Sequence, residues 1–393
     1  MKGFGLLIKI IIAIILGVAI GFISPEWLVR IFATFNDLFG NFLDFIIPLI
    51  ILGFIAAGIG TLGKGAGKLL GLTAIIAYAS TIIAGVIAFF VAKNVYPFML
   101  KGQSLKTLSD PSESLATSFI ELEITPPIDV ITALLLAFVL GLGMISIKGN
   151  TMINAMNELR DIIQLVIVKV IIPFLPFHIF GIFANMTYAG QVGTILNVFA
   201  KVFIMIILLH ILYLIGQYTV AGTLSKQNPL TALKTMSPAY FTALGTQSSA
   251  ATIPVTLERT KQLNVRERLA DFTIPLLANI HLSGSTITLV SCSMAIMFLQ
   301  GNPNIFSDYF PFILMLGVTM IAAPGVPGGA VMAALGLLDS MLGFNQTMLS
   351  LIIALYIAQD SFGTACNVTG DGAITSIVHS ISKKKDITST TTS

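Results

Sequence analysis

Long apolar runs separated by short polar connections dominate the first 225 residues. Runs near 5–23, 38–60, 70–97, 127–147, 161–187 and 194–222 hold few charges. Each is near or above the roughly 20 residues that cross a bilayer, so they predict six spanning helices. The one sizeable polar connection, 98–125, is rich in Ser, Lys and acids and reads as an exterior loop. The first run follows a basic start, as a signal peptide does, yet no small-x-small cleavage site follows it. A retained first helix is expected.

After residue 229 the pattern changes. In "PLTALKTMSPAYFTALGTQSSAATIPVTLERTK" two short apolar arms flank "GTQSSAAT". The next span is long but interrupted by "NIHLSGST". The order then recurs, with short arms around "APGVPGG" and a final long span interrupted by "QDSFGTACNVTGDG". An unpaired backbone N–H or C=O in hydrocarbon costs on the order of several kcal/mol, so such breaks survive only inside protein or beside a wet cavity. Two re-entrant hairpins, each followed by an interrupted helix, are therefore expected. Lys226, Lys234, Arg259 and Lys261 flank the first hairpin, but only Asp308 and Asp339 flank the second. The first should enter from the cytoplasm and the second from outside. Inverted repeats with broken helices are the architecture of secondary transporters. A channel filter would explain one break, not four in a repeated order.

Composition sets the solvent. Charged residues are 10% of the chain, against about 25% in soluble domains, and mean hydropathy is +0.94. The fold class is an all-α, multi-pass membrane protein. A net charge of +3 gives no reason to expect a nucleic-acid partner. Basic residues from Lys2 and Lys9 to Lys383–Lys385 alternate with connections carrying mainly Arg30, Lys93, Lys101, Lys106 and the acids Asp110, Glu113, Glu121 and Glu123. Basic excess marks the cytoplasmic side, so both termini are expected in the cytoplasm and the protein in the plasma membrane. Cys292 and Cys366, each in an apolar stretch, read as packing residues.

The final span carries the chemistry. An α-helix turns about 100° per residue, so Asp360, Thr364, Asn367 and Asp371 fall on one stripe, its ends about 16 Å apart. A lone charge at mid-membrane costs about 2.5–3.5 kcal/mol, and no Lys or Arg within the spans is placed to pair with either acid. The partners should come from outside the protein, as a metal ion or an ammonium group. The plainer reading is a pair of interhelical hydrogen-bonding residues. An intramembrane aspartyl protease needs its two carboxylates within hydrogen-bond distance, which three helical turns forbid. A serine hydrolase built from Ser248 or Ser283 with His281 fails too, since Ser283 and His281 lie on opposite sides of any helix. An enzyme is not expected.

"TQSSAATIPVT", "TIPLLANIHLSGST", "PGVPGG" and "QDSFGTACNVTGD" together resemble the glutamate transporter family, the dicarboxylate/amino acid:cation symporters, over nearly the whole chain. The resemblance implies eight transmembrane helices and two re-entrant hairpins, in a homotrimer working as an elevator among membrane lipids. It assigns 1–60 to scaffold helices 1 and 2, and 61–100 to helix 3 of the transport domain. Residues 101–190 become the exterior loop with scaffold helices 4 and 5, and 191–225 helix 6. Residues 226–385 form the transport core, and 386–393 a cytoplasmic tail. By the same resemblance Asp360 holds a substrate α-ammonium, and Thr364, Asn367 and Ser285 also touch substrate. Ser248 and Ser249 hold its α-carboxylate, and Val326 and Gly328 belong to the gating second tip. Asp371 is a sodium ligand, supported by backbone carbonyls near Leu277, His281 and Asn367.

Departures from the family pattern bear on cargo and coupling. Acid-transporting members carry Arg where this chain has Gly363, and some carry Arg where it has Gln247. Without that cation a buried acidic side chain would stay unpaired. A small neutral amino acid is expected, as in the bacterial serine/threonine branch, with cystine, another amino acid or a dicarboxylate as alternatives. Where the family commonly has "NMDGT", this chain has "HLSGS". A further sodium site thereby loses an Asp and an Asn, leaving hydroxyls such as Ser80, Thr81 and Ser283. Fewer sodium ions per cycle are expected, and His281 is either a neutral hydrogen-bonding residue or a proton carrier.

Overall fold

The structure is a computed structural model describing residues 6–63, 68–101, 116–120, 124–190, 192–302, 305–323 and 327–390. Among these residues every regular element is helical: α1 (Leu6–Ile23), α2 (Glu26–Gly63), α3 (Lys68–Met99), α4 (Val130–Ser146), α5 (Thr151–Val166), α6 (Ile172–Tyr188) and α7 (Val192–Ser225) come first. A π-turn at Ile167–Ile171 joins α5 to α6, just before Pro173, whose missing N–H disrupts the regular ladder. Then follow α8 (Pro229–Thr246), α9 (Ser249–Lys261), α10 (Glu267–Ile280), α11 (Ser283–Leu299), α12 (Phe306–Ala322), α13 (Gly329–Leu342) and α14 (Gln346–Thr390).

Among the described residues six helical stretches are long and apolar enough to cross a membrane: in α2, α3, α5–α6, α7, α10–α11 and α14. The described parts of α1 and α4 are shorter apolar helices. Large apolar side chains lie more than half exposed on the outer helices, among them Phe22, Ile75, Leu135, Ile204 and Leu212. The centre is instead rich in polar groups, since Thr286, Thr288, Asn367, Asp371 and Thr375 are all at most 1% exposed. A soluble protein has the reverse arrangement.

The breaks after residue 229 have local causes. Asn228 caps α8 by accepting from Leu230 N and Thr231 N, with Pro229 in the first turn, where its missing N–H does no harm. The helix stops at Gln247, which adopts φ +53°, and Ser248 caps α9 by accepting from Ala251 N. His281 and Leu282 leave helical geometry between α10 and α11. Gly328, at φ +76°, starts α13 in a conformation that side chains disfavour.

The last span departs from expectation. α14 runs unbroken from Gln346 to Thr390 through the polar stretch, so among the described residues three interruptions exist rather than four. "QDSFGTACNVTGDG" contains glycines but no proline, and every N–H stays available to the helical ladder. The helix also continues into the segment assigned to the tail, while 391–393 lie outside the described residues.

Packing separates two groups. α1, α2, α4, α5 and α6 contact one another most, while α3, α7, α8, α9 and α10 gather around α11 and α14. α12 and α13 pack together, with contacts to α2 and α3.

Candidate functional site

The two helical turns, the α10–α11 break and α14 meet at Asp360. Gln247, Ser248 and Ser249 come from the first turn, and Ala323 and Ala330 from the α12–α13 pair. Ala278, Leu282 and Ser285 flank the break, and Tyr356, Asp360 and Thr364 are successive positions on α14. Together they line a cavity of about 20 Å³, room for roughly one water. Open clefts of about 520 and 640 Å³ lie over Asp44, but neither includes a hairpin tip.

Both tips are tied to one turn of α14. Gly328 N donates to Asp360 Oδ2 at 2.7 Å, and Gln247 Nε2 donates to Ser361 Oγ at 2.9 Å. The N-termini of α9, α11 and α13 converge here, through Ser248–Ser249, Ser285 and Gly328–Ala330. Helix N-termini present free N–H groups and partial positive charge, a setting suited to a carboxylate. Among the described residues no Lys or Arg lines the cavity.

Asn367 caps α11 from a neighbouring helix. Its Oδ1 accepts from Gly284 N at 2.7 Å and Ser285 N at 3.4 Å, and its Nδ2 donates to Ser285 Oγ at 3.0 Å. Two N–H groups that would otherwise be orphans at the helix start are thereby satisfied. Only glycine permits the approach: a Cβ on Gly284 would run into Gly363 O and lie 2.6 Å from Cys366 Cβ.

Asp371 belongs to a separate, buried network. His281 Nδ1 lies 2.9 Å from Asp371 Oδ1, and His281 Nε2 is 3.0 Å from Ser80 Oγ. Ser80 Oγ also accepts from Gln217 Nε2 at 2.9 Å, and Tyr213 Oη donates to Ser80 O at 2.6 Å. With Nδ1–H given to the carboxylate, a neutral ring accepts the Ser80 hydroxyl at Nε2. The "TGDG" glycines make the room: a Cβ on Gly370 would meet Gln217 Oε1 at 2.7 Å, and one on Gly372 would meet Tyr218 Oη at 2.7 Å.

The Asp371 surroundings fit a cation. Among the described residues Asp371 Oδ2 is buried with no hydrogen-bond partner, and so is Gln217 Oε1, which lies against Gly370 next to it. A hard ion such as sodium takes oxygens of this kind.

The residues singled out from sequence thus fall in two places. Ser248, Ser249, Ser285, Asp360 and Thr364 line the cavity, Gly328 touches Asp360, and Gly363 and Asn367 lie against the start of α11. Asp371, His281 and Ser80 form the second cluster. Leu277 O accepts His281 N at the end of α10. Thr81 instead turns its hydroxyl back to Ala77 O on its own helix, and Val326 lies outside the described residues. Sequence reasoning missed Tyr356, Gln217 and Tyr213. Gln217 had a signal, as a lone amide in the apolar "YLIGQYTV".

Comparison with known proteins finds relatives over nearly the whole chain. Two relatives named serine/threonine transporter SstT align over almost their full lengths. The one from Enterococcus faecalis is 24% identical over 397 residues, covering 96% of this chain and 92% of the relative. The one from Acinetobacter baumannii (strain AYE) is 25% identical over 394 residues, covering 95% and 96%. The sequence profile of the sodium:dicarboxylate symporter family matches residues 6–381. This chain is therefore a multi-pass membrane transporter, a secondary symporter and not an enzyme, and it belongs to the sodium:dicarboxylate symporter family.

Proposed function

We propose that this protein is a sodium-coupled symporter of a small neutral amino acid, with serine, threonine and alanine as its cargo. The observation that carries the reading is the setting of Asp360. It is a buried carboxylate at a small cavity that no Lys or Arg among the described residues lines and three helix N-termini approach. The cargo ammonium pairs with Asp360, and its carboxylate takes the N-termini of α9 and α13 with the hydroxyls of Ser248 and Ser249. An acidic side chain would find no cation there and would be costly to bury. The names of the two relatives support a hydroxylated or small cargo.

Transport makes and breaks no covalent bond, so the chain's task is exchange of partners. The cavity is smaller than any amino acid, and admission requires the α12–α13 tip to withdraw. Withdrawal removes Gly328 N–H from Asp360, and the arriving ammonium takes its place. Asp371 holds sodium through the oxygen that His281 leaves free, with Ser283 and Gln217 as further oxygen ligands.

The two packing groups support an elevator. α1, α2 and α4–α6 form the trimer scaffold, and the remaining helices move as the transport domain. The pairs α8–α9 and α12–α13 act as re-entrant hairpins entering from the cytoplasm and from outside. Both termini are cytoplasmic, and the membrane is the plasma membrane.

Counterflow in proteoliposomes tests the reading, with serine, alanine, threonine, aspartate and cystine, each with and without a sodium gradient. Sodium-dependent exchange of the neutral amino acids is expected. Strong aspartate uptake without neutral competition would refute the assignment. The His281–Asp371 contact favours one second reading, in which a proton shared by the pair replaces a sodium ion. It predicts uptake driven by a pH gradient in sodium-free buffer and lost in His281→Gln.

A further inference from the structure

The first turns of α14 are bonded to helices of the other packing group. Gln346 Nε2 donates to Asp44 Oδ2 on α2, and His178 Nε2 on α6 lies 3.0 Å from Ser350 Oγ. The direction of these bonds is fixed at the far end by Asn36. Its amide oxygen accepts from Ile182 N at 2.9 Å, so its Nδ2 donates to His178 O at 3.1 Å and to His178 Nδ1 at 3.2 Å. A neutral His178 ring therefore carries its proton on Nε2 and donates to Ser350. Ser350 Oγ in turn donates to Gln346 O at 2.7 Å. Two glycines allow the close approach. A Cβ on Gly181 would meet the Asn36 amide at 2.7 Å, and one on Gly40 would meet Gln346 Oε1 at 3.0 Å. None of these residues lines the Asp360 cavity.

The same contacts fix how far α14 lies along its neighbours. Under the proposed topology Glu26, Tyr188 and Gln346 mark the outer ends of α2, α6 and α14. Yet Gln346 meets α2 at Asp44, about 27 Å along the helix from Glu26. Ser350 meets α6 at His178, about 15 Å from Tyr188. The open cleft of about 520 Å³ is lined by Ala33, Asp37, Asn185 and Met186 from α2 and α6, and by Gln346 and Ser350 from α14. At the other end Ala322, the last residue of α12, lies against Gly58, about 8 Å from the end of α2 at Gly63. On that topology α14 and the α12–α13 pair sit low, toward the cytoplasmic side of α2.

We infer that this structure is the inward-lowered end state of the transport cycle, and that Asp44–Gln346 with His178–Ser350 forms a clasp that holds it. The inference rests on the elevator reading and adds to it the residues that set the resting position. A core that rises by more than a few ångströms carries Gln346 and Ser350 away from partners on helices that stay. Only the lowered state offers Asp44 an amide and the buried His178 an acceptor, and a buried donor without a partner is costly. The clasp therefore weights the resting protein toward the lowered state, and neither half of it touches cargo.

A cysteine pair away from the clasp tests this. A Cβ on Gly58 would lie 3.2 Å from Ala322 Cβ, close to the roughly 3.5–4.5 Å that a disulfide spans. In the full-length protein carrying Gly58→Cys and Ala322→Cys, copper phenanthroline should close this bond. Closure is read as loss of maleimide-reactive thiols above the constant background of the buried Cys292 and Cys366. Gln346→Glu sets carboxylate against carboxylate and should slow closure about threefold or more. Ser350→Ala should slow it about twofold to tenfold. Asp44→Asn added to Gln346→Glu restores an amide–carboxylate pair with its ends exchanged, and should return the rate to within about twofold of the starting protein. Such rescue excludes simple misfolding, which a second substitution would worsen. Failure of the pair to cross-link, an unchanged rate in Gln346→Glu, or no rescue by Asp44→Asn would overturn the clasp. Serine uptake by the cross-linked protein separates this outcome from failure of the underlying reading. Uptake should stop on cross-linking and return with reductant, and uptake that continues would remove the elevator itself, whatever the clasp variants do.

Discussion

Replacing Gly284 with alanine adds one methyl group where α11 and α14 touch backbone to backbone. The new Cβ would collide with Gly363 O, approach Cys366 Cβ at 2.6 Å and lie 3.2 Å from Asn367 Oδ1. Two of these neighbours are rigid, a main-chain carbonyl and a Cβ, so the helices must separate by several tenths of an ångström. Overpacking of this kind costs about 1–3 kcal/mol. Separation also stretches the bond from Gly284 N to Asn367 Oδ1, now 2.7 Å, at about 1 kcal/mol net. The sum is about 2–4 kcal/mol, delivered at the wall of the Asp360 cavity rather than at a distant site. Thermal denaturation in detergent should show a lower Tm, and serine titration a Kd raised by about tenfold or more. Cys366→Gly should not rescue the variant, because the collision with Gly363 O remains. A Gly284→Ala protein with unchanged Tm and serine affinity would refute the close-packing argument and the role given to Asn367 as a cap.

Other perturbations have equally definite outcomes. Gly328→Ala forces a side chain into φ +76°, at about 1–2 kcal/mol, and should raise the apparent Kd for serine about fivefold to thirtyfold by disfavouring the closed tip. Ser80→Ala removes the hydroxyl joining His281, Gln217 and α3, leaving Gln217 Nε2 without its acceptor and His281 Nε2 without its donor at about 1–3 kcal/mol. It should lower Tm and raise the sodium concentration needed for half-maximal serine binding. At Gly363 a Cβ meets Gly284, Ser285 and Thr288 no closer than 3.6 Å, so the first atom of a larger side chain fits. Gly363→Arg should therefore shift competition in uptake assays from serine toward aspartate, and unchanged selectivity would show that this position does not face the cargo side chain.

Much of the arrangement was legible because the membrane makes polar residues conspicuous. The Asp360–Asp371 stripe followed from helical spacing alone, and its continuity in α14 is what keeps the two acids three turns apart. The same logic made the fourth interruption a false expectation: polar and glycine-rich composition resembled a break, but without proline or a left-handed residue nothing opens the ladder. Helix breaks at Gln247 and Gly328 were located correctly because turn chemistry is local. Tyr356 lies on the same stripe, one turn before Asp360, and extending the spacing backwards would have reached it. The family resemblance had put Ser80 and the His281 segment at one site, but spacing alone could not give their bond, since it depends on how α3 and α7 approach α10 and α14. Nothing in the chain order of Ser80, Tyr213, Gln217 and His281 announces that they converge.

Under the proposed function, in which the two tips are doorways, anchoring both to neighbouring residues of α14 bears on how the protein avoids leaking. The Gly328 latch closes on a carboxylate, so a cationic guest competes for it directly. The Gln247 latch closes on the Ser361 hydroxyl, which offers such a guest no comparable reward. On that reading one door answers to the passenger while the other is deaf to it, and the asymmetry resides in two adjacent side chains.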